Sequence, residues 1–377
     1  MSAWPGKYVI GLTGNIATGK SVVRKMLEHL GAYGIDADAL GHRAIAKDAP
    51  GYQPVLNTFG RYILAPDEQI DRSKLARIVF TDPEALARLE SIVHPLVAQA
   101  IDVLVRRSHH KVIVIEAIKL LESGLRAKCD VVWVAHTPEK VQLARLMNKR
   151  GQSESAARQR INAQPSQELK VAVADVVIEN DASFEDTWQQ VLAAWQKLFP
   201  GEEGVEASEV GSIPGDLVVQ RAIPSQAGEI AEFINQRSNG KRAMGRNDIM
   251  AAFGEKAFLL LRMDGKLVGL ASWQVENLVV RTIDIYLAAD LPLKSALRAL
   301  TEEIERASRE LQCEIALIYL APELARRQDV WRSLGYQPRT VQSLGVRAWQ
   351  EAAIESMPAG TTMFFKQLRR DRVLRPV

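Results

Sequence analysis

The residues best suited to chemistry stand near the start of the chain. Gly11-Leu-Thr-Gly-Asn-Ile-Ala-Thr-Gly-Lys-Ser21 contains the spacing GxxxxGKS, from Gly14 to Ser21. Its glycines let a backbone fold around a phosphate with no side chain in the way. Inward-facing N–H groups of such a loop cradle the β-phosphate. The helix expected to open near Lys20 adds the positive end of its dipole, about half a charge. Lys20 can reach the β- and γ-oxygens, and Ser21 can ligate Mg²⁺. Gly14, Asn15, Ile16, Ala17, Thr18, Gly19, Lys20, Ser21 and Val22 are therefore expected to hold a nucleoside triphosphate. The bland alternative, a chance glycine-rich turn, fits poorly with a full match between a strand and a helix.

Two further groups could complete a phosphoryl-transfer site. Asp36 and Asp38 follow a short apolar run. Either carboxylate could accept a hydroxyl proton or help to hold Mg²⁺, and either could simply cap the next helix. Capping suits Asp36 better than Asp38. The segment 145–160 is basic: Arg145, Lys149, Arg150, Arg158 and Arg160. Guanidinium forks pair with phosphate oxygens and offset charge that develops during transfer. Such a segment can close as a lid that excludes water, or it can be a solvated helical face. Two or three of these arginines are expected to act, and the rest to face solvent.

The elements that must position these residues alternate. Strands are expected at Tyr8–Thr13, Ala32–Ile35, Val112–Glu116, Val131–Ala135 and Val176–Ile178. Helices are expected after the phosphate loop, from about residue 37 to 107, over Pro138–Lys149 and over Phe184–Leu198. Asp82-Pro83 supplies an N-cap and a first-position proline. Strands rich in β-branched residues, alternating with helices, imply a parallel sheet covered on both faces. Ligands of such sheets lie at the carboxyl ends of the strands, where the phosphate loop and Asp36/Asp38 fall.

Residues 199–216 are rich in Gly, Pro and Glu, lack Lys and Arg and show no apolar period. That composition reads as a linker. The expected division is a nucleotide-binding domain at 1–200, an acidic Gly/Pro linker at 201–216 and a second domain at 217–377. In the second domain, strands are expected at Leu217–Ile223, Ala257–Met263, Leu267–Trp273, Val279–Leu287, Ile315–Leu320 and Met363–Gln367. Asp264-Gly265 marks a hairpin turn. Helices are expected at Ser225–Arg237, Lys294–Leu311 and Leu324–Leu334, and the basic stretch from Lys366 to Arg375 as a solvated tail.

The totals fit an ordinary globular protein of about two domains. The 377 residues carry a net charge of +3, which gives no reason to expect nucleic acid as a partner. Cys129 and Cys313, the two cysteines, match no metal-ligand spacing and read as reduced thiols. No apolar run is long enough to cross a membrane and no leader is visible, so the expected location is cytoplasmic.

Taken together, the motifs of residues 7–197 resemble the dephospho-coenzyme A kinases. Gly11–Ser21 is similar to that family's phosphate loop, and Ile35-Asp-Ala-Asp38 to its second-strand motif. Asp71–Phe80 resembles its substrate-side helix, and His94-Pro95 its His-Pro pair. Gln142–Arg145, Arg150 and Arg160–Gln164 follow its lid pattern, and Ala174–Asn180 its last-strand motif. The resemblance implies ATP- and Mg²⁺-dependent phosphorylation of the ribose 3′-hydroxyl of dephospho-CoA, giving CoA and ADP, the last step of coenzyme A biosynthesis. It implies Asp38 as the base and Lys20, Arg145 and Arg150 as groups acting on the transferring phosphoryl. Arg72, His94 and Arg160 are implied on the substrate side, although His94 beside a proline equally reads as a packed residue at a kink.

The chain departs from that family in two places. Asn15, Ala17 and Thr18 stand where glycine and serine are usual; all three are small. Ile115-Glu-Ala-Ile-Lys-Leu-Leu-Glu122 places Glu116 where Asp is usual, Ile118 for Pro and Lys119 for Leu. Lys119 could meet a substrate phosphate or face solvent.

Residues 217–367 resemble the Gcn5-related N-acetyltransferase fold through Val219–Ser225, Asp264–Gly269 and Val330–Tyr336. The whole chain is thus expected to be α/β: a P-loop kinase with a parallel sheet, followed by an acetyltransferase-like domain with a mixed sheet. The acetyl-CoA pyrophosphate loop of that fold is not reproduced: Ala288–Ala296 has no glycine and carries Asp290. The second domain is therefore expected not to transfer acetyl groups by the usual route, with Tyr336, Trp331 and Trp349 as packed aromatics. Three alternatives stay open: a bifunctional kinase and N-acetyltransferase, a kinase acting on another nucleoside or nucleotide, and a second domain that serves dimerisation or regulation.

Overall fold

The computed structural model describes residues 3–150, 152–201, 209–213, 217–238, 242–276 and 278–369, with backbone alone at 149, 150 and 209–213. Two compact units result. One holds residues up to Lys20 and Tyr33–Val177; the other holds Ser21–Ala32 and the described residues from Ile178 to Arg369.

The elements of the first half are β1 (Tyr8–Thr13), α1 (Lys20–His29), β2 (Tyr33–Asp36), α2 (Ala37–Ala44), α3 (Tyr52–Phe59), α4 (Arg72–Val79) and α5 (Pro83–Arg107). They continue with β3 (Val112–Glu116), β4 (Val131–His136), α6 (Glu139–Arg150), α7 (Glu154–Asn162), α8 (Gln167–Val171), β5 (Val176–Glu179) and α9 (Phe184–Leu198). The sheet order is β2-β3-β1-β4-β5. β1 is central, paired in parallel with β3 (Leu12 opposite Glu116) and with β4 (Thr13 opposite Val134). β3 is buried along its whole length and β1 from Val9 onward. This explains why both read as unbroken apolar runs rather than alternating ones.

Local chemistry sets the helix ends. The Asp82 side chain accepts from Glu84 N at 2.9 Å, with Pro83 opening α5. Asp71 caps α4 through Ser73 N and Lys74 N. The region from 37 to 107, expected simply as helical, is four helices. Their packing is built on Val55, Leu56, Phe59, Leu75 and Val79.

The second half contains β6 (Glu209–Ile213), β7 (Leu217–Arg221), α10 (Ala227–Arg237), α11 (Arg246–Phe253), β8 (Ala257–Met263), β9 (Lys266–Glu276) and β10 (Val279–Leu287). After these come α12 (Leu293–Glu310), β11 (Ile315–Leu320), α13 (Pro322–Ala325), α14 (Gln328–Ser333), β12 (Gln337–Pro338), α15 (Arg347–Ser356) and β13 (Thr362–Gln367). They form an eight-stranded mixed sheet in the order β12-β13-β11-β10-β9-β8-β7-β6. β10 and β11 are parallel; the other pairs are antiparallel. Strand alternation sorts the core. Leu259 and Leu261 of β8 pack with Leu297, Leu300 and Ile304 of α12. Phe258 and Leu260 pack with α10 and α11. Asp264 and Gly265 both have positive φ, 51° and 76°, as the tight β8–β9 turn requires.

Four expectations change. Part of the stretch expected as a linker, Glu209–Ile213, is strand β6, antiparallel to β7. The single helix expected over 324–334 is broken into α13 and α14. The Leu324 carbonyl, which a continuous helix would offer to residue 328, receives Arg327 N at 3.2 Å and the Trp331 indole at 2.9 Å. Lys366 is not part of a solvated tail but is ion-paired with Glu305 at 2.6 Å. Arg369 is also tied in, through its backbone N to Glu314 O at 3.1 Å; residues 370–377 lie outside the described part. Helices α11 and α15 were not expected at all. Tyr336, Trp331 and Trp349 are buried, as expected, and both cysteines are buried and free. Burial pushes the Cys129 thiol up to about 12. Among the described residues, no helix is long and apolar enough to cross a membrane.

Candidate active site

The site gathers at the carboxyl ends of the parallel strands. β1 ends at Thr13 and opens into the phosphate loop, Gly14–Lys20. The turn there is too tight for a side chain. Gly14 has φ +148°, and a Cβ on it would lie 2.4 Å from Ala135 O. Gly19 has φ +90°. Thr18 Oγ1 and Lys20 Nζ both donate to Asn15 O, at 2.9 and 3.1 Å, folding the loop on itself. Lys20 is buried and Ser21 exposed.

The departures within the loop have consequences. Ala17 has φ +60°, a conformation that suits glycine and strains alanine. Its carbonyl accepts from Arg145 Nη1 at 3.1 Å. Asn15 Nδ2 donates to Pro165 O at 2.8 Å, and Ile16 N donates to Gln164 Oε1 at 2.7 Å. Thus α6, through Arg145, and the chain just after α7 both grip the phosphate loop.

Asp36 and Asp38 divide as their positions suggest. Asp36 is the N-cap of α2, accepting from Ala39 N at 2.8 Å. Asp38 lies one residue inside the helix, and its Oδ2 accepts from Ile118 N at 3.1 Å. Burial raises the Asp38 carboxyl above its usual range, and the negative charge of Glu116 adds to that. The Ile118 N–H, Lys20 and Lys170 pull it back down.

Lys170 was not singled out from the sequence. It sits on α8, fully buried, and donates to Ile118 O at 2.8 Å. Burial lowers its pKa. No local pattern marks it: a lysine in Ser-Gln-Glu-Leu-Lys reads as a solvated helix face.

The remaining expected residues are placed as follows. Arg158 is ion-paired with Glu154 at 2.9 Å on an exposed face, as some of the basic segment was expected to be. Arg160 lies in the last turn of α7 and Arg72 begins α4, both exposed; His94 is half-buried beside Pro95 within α5. None of the hydrogen bonds described above runs through these three. The side chain of Arg150 lies outside the described residues. Lys119, expected to meet phosphate or solvent, is exposed and forms a short ion pair with Glu90 of α5. Opposite charges at partly exposed positions explain the pairing. The structure therefore brings together the phosphate loop, Lys20, Asp38, Glu116, Arg145 and Lys170.

Several known proteins are similar to this chain. A family model described as dephospho-CoA kinase matches residues 8–186. The dephospho-CoA kinase of Carboxydothermus hydrogenoformans is 44% identical over 192 residues, covering 50% of this chain and 93% of that protein. That of Geobacter metallireducens is 42% identical over 192 residues, covering 50% and 96%. Among solved structures, a dephospho-CoA kinase from Campylobacter jejuni aligns with 52% of this chain and 98% of its own, at 28% identity and a TM-score of 0.39. A GNAT-family acetyltransferase from Staphylococcus aureus Mu50 aligns with 41% of this chain and 99% of its own, at 13% identity and a TM-score of 0.33. Near-complete coverage of the curated relatives at this identity decides the matter: through its first half, the chain belongs to the dephospho-CoA kinase family.

Proposed function

We propose that the first half of the chain transfers the γ-phosphoryl group of ATP to the ribose 3′-hydroxyl of dephospho-CoA, giving CoA and ADP. The observation that carries this reading is the placement of Asp38. Its carboxylate is held by a backbone N–H at 3.1 Å, within electrostatic reach of Lys20, at the strand ends beside the phosphate loop. A carboxylate fixed there is suited to orient a hydroxyl and take its proton. Gly14–Val22 binds the ATP phosphates, and Lys20 and Arg145 offset charge on the group in transit. Arg150 shares that task, and Arg72, His94 and Arg160 meet dephospho-CoA; these assignments rest on the family pattern. Lys119 would have to leave Glu90 to reach a phosphate.

The oxygen donors suit Mg²⁺. The hydroxyl of Ser21, which follows the loop, is a hard donor of the kind that binds Mg²⁺ together with substrate phosphate oxygens and water. Bound there, the ion would neutralise phosphate charge. We read residues 1–200 and 217–377 as separate domains of a cytoplasmic protein. The second domain is taken not to use acetyl-CoA in the usual way, and is open to a role in self-association.

The test is ATP consumption with dephospho-CoA, adenosine, AMP or pantothenate as acceptor. Turnover is expected with dephospho-CoA alone. Asp38→Asn should abolish turnover while ATP binding survives; near-normal turnover in that variant would sink the mechanism.

A further inference from the structure

Lys170 poses a question that packing does not answer. It is 2% exposed, and its ammonium has no carboxylate within ion-pair distance among the described residues. Burying a charge in that way is costly, and an apolar side chain of similar length would fill the space at less cost.

Its contact runs toward Asp38. Lys170 Nζ, from α8, donates to Ile118 O at 2.8 Å. Thr13 Oγ1, from the end of β1, donates to the same oxygen at 3.2 Å. On its other side, Ile118 turns its N–H to Asp38 Oδ2 at 3.1 Å. The preceding residue is fixed as well, with Ala117 N donating to Leu12 O at 3.0 Å. Two donors thus hold the carbonyl of one residue while its amide hydrogen fixes one oxygen of the carboxylate. Asp38 Oδ1 is then directed by the oxygen that is held.

We propose that Lys170 is a positioning residue for phosphoryl transfer, holding the Asp38 carboxylate in place through the main chain of Ile118. The inference rests on the reading of Asp38 as the base. A carboxylate must lie within hydrogen-bond reach of the proton it takes, and a small misplacement of a reacting group is enough to slow the step strongly. The charged groups facing Asp38 are Lys20, Glu116 and Lys170; those facing Lys170 are Glu122, Lys20 and Asp38.

The main variant is Lys170→Met in the full-length protein, which removes the donor and keeps the length. We expect kcat to fall by about tenfold or more, with KM for ATP and for dephospho-CoA changed by no more than about twofold. The acid limb of the kcat–pH profile should move to higher pH, because the carboxylate loses a nearby cation and a firmly held amide donor. Ile118→Pro removes the amide hydrogen alone and should move the limb in the same direction. The double variant should lose no more than the worse single one, since both act on one carboxylate.

Two outcomes would overturn the proposal: kcat and limb unchanged by Lys170→Met, or a rise in KM at unchanged kcat. If Ile118→Pro does not fold, as circular dichroism would show, the Lys170→Met arms decide alone. Failure of the base reading looks different: Asp38→Asn itself would keep near-normal turnover.

Discussion

Arg145 donates from Nη1 to the carbonyl oxygen of Ala17, 3.1 Å away, and Ala17 holds a left-handed backbone with φ +60°. The loop residue gripped by α6 is therefore also a strained one. A left-handed conformation costs a residue with a Cβ roughly 1–2 kcal/mol. Glycine would remove that cost but lose about 0.5–1 kcal/mol to its greater freedom when unfolded. Ala17→Gly should consequently stabilise the protein by roughly 0.5–1 kcal/mol. The Arg145 contact is to main chain and should survive. Urea midpoints at unchanged m-value would measure the gain, and a loss of stability would show that the loop relaxes some other way.

Glu116 and Asp38 repel each other across the site. Burial is the larger reason that the Asp38 carboxyl lies above its usual range, and Glu116 adds to it. A base works as the carboxylate, so turnover should fall as pH drops through that raised value. Glu116→Gln removes one negative charge, which makes the carboxylate easier to form. The acid limb of the kcat–pH profile should therefore move to lower pH, opposite in direction to the shift from Lys170→Met. A limb that stays put or moves up would mean that the two carboxylates do not share a field.

The sequence patterns that proved most legible were the ones set by burial. β3, β8, β10, β11 and α9 have the bounds that their apolar runs suggested, because a strand or helix buried in a sheet protein carries its own periodicity. The phosphate loop and the capping role of Asp36 were legible because both depend on neighbours a few residues away. Lys170 was not, since its meaning lies in a carbonyl fifty-two positions earlier in the chain. Lys119 shows the same limit: its partner Glu90 lies on another element. β6 has no apolar period and owes its order to pairing with β7. The break between α13 and α14 depends on where the Trp331 indole finds an acceptor. The strain at Ala17 was hidden because small size was a guide to space, not to φ.

Lys366 and Glu305 form a largely enclosed ion pair in the second half. Lys366 Nζ lies 2.6 and 2.8 Å from the two carboxylate oxygens and 2.8 Å from Leu334 O. The Glu305 side chain is only 5% exposed, so it depends on its partners for charge compensation. Arg309 also reaches it, at 2.7 Å, but from a half-exposed position. Breaking a buried pair by removing one partner is costly, and the remaining arginine should soften the loss. Lys366→Met is expected to destabilise by about 2–3 kcal/mol, and adding Glu305→Gln should recover part of it. Chemical denaturation of the three proteins would measure both steps. If Lys366→Met were neutral, Arg309 would be sufficient to carry the carboxylate.

The start of α12 bears on acetyl transfer. Ala288–Pro292 joins β10 to α12 without a glycine, and the exposed Asp290 places a carboxylate in that loop. Pro292 is the N-cap and its side chain supplies no capping hydrogen bond. A pyrophosphate held at a helix start needs a backbone that can approach closely and N–H groups turned toward it, without a negative charge beside them. The loop before α12 therefore has none of the glycines that such a grip uses. Full-length protein incubated with acetyl-CoA labelled in the acetyl group, with spermidine and a lysine-rich peptide as acceptors, should leave the label on CoA. Asp38→Asn should be run alongside, so that the kinase site cannot confuse the result. Saturable transfer that persists in Asp38→Asn would restore the bifunctional reading and require a CoA-binding mode that does without the glycine loop.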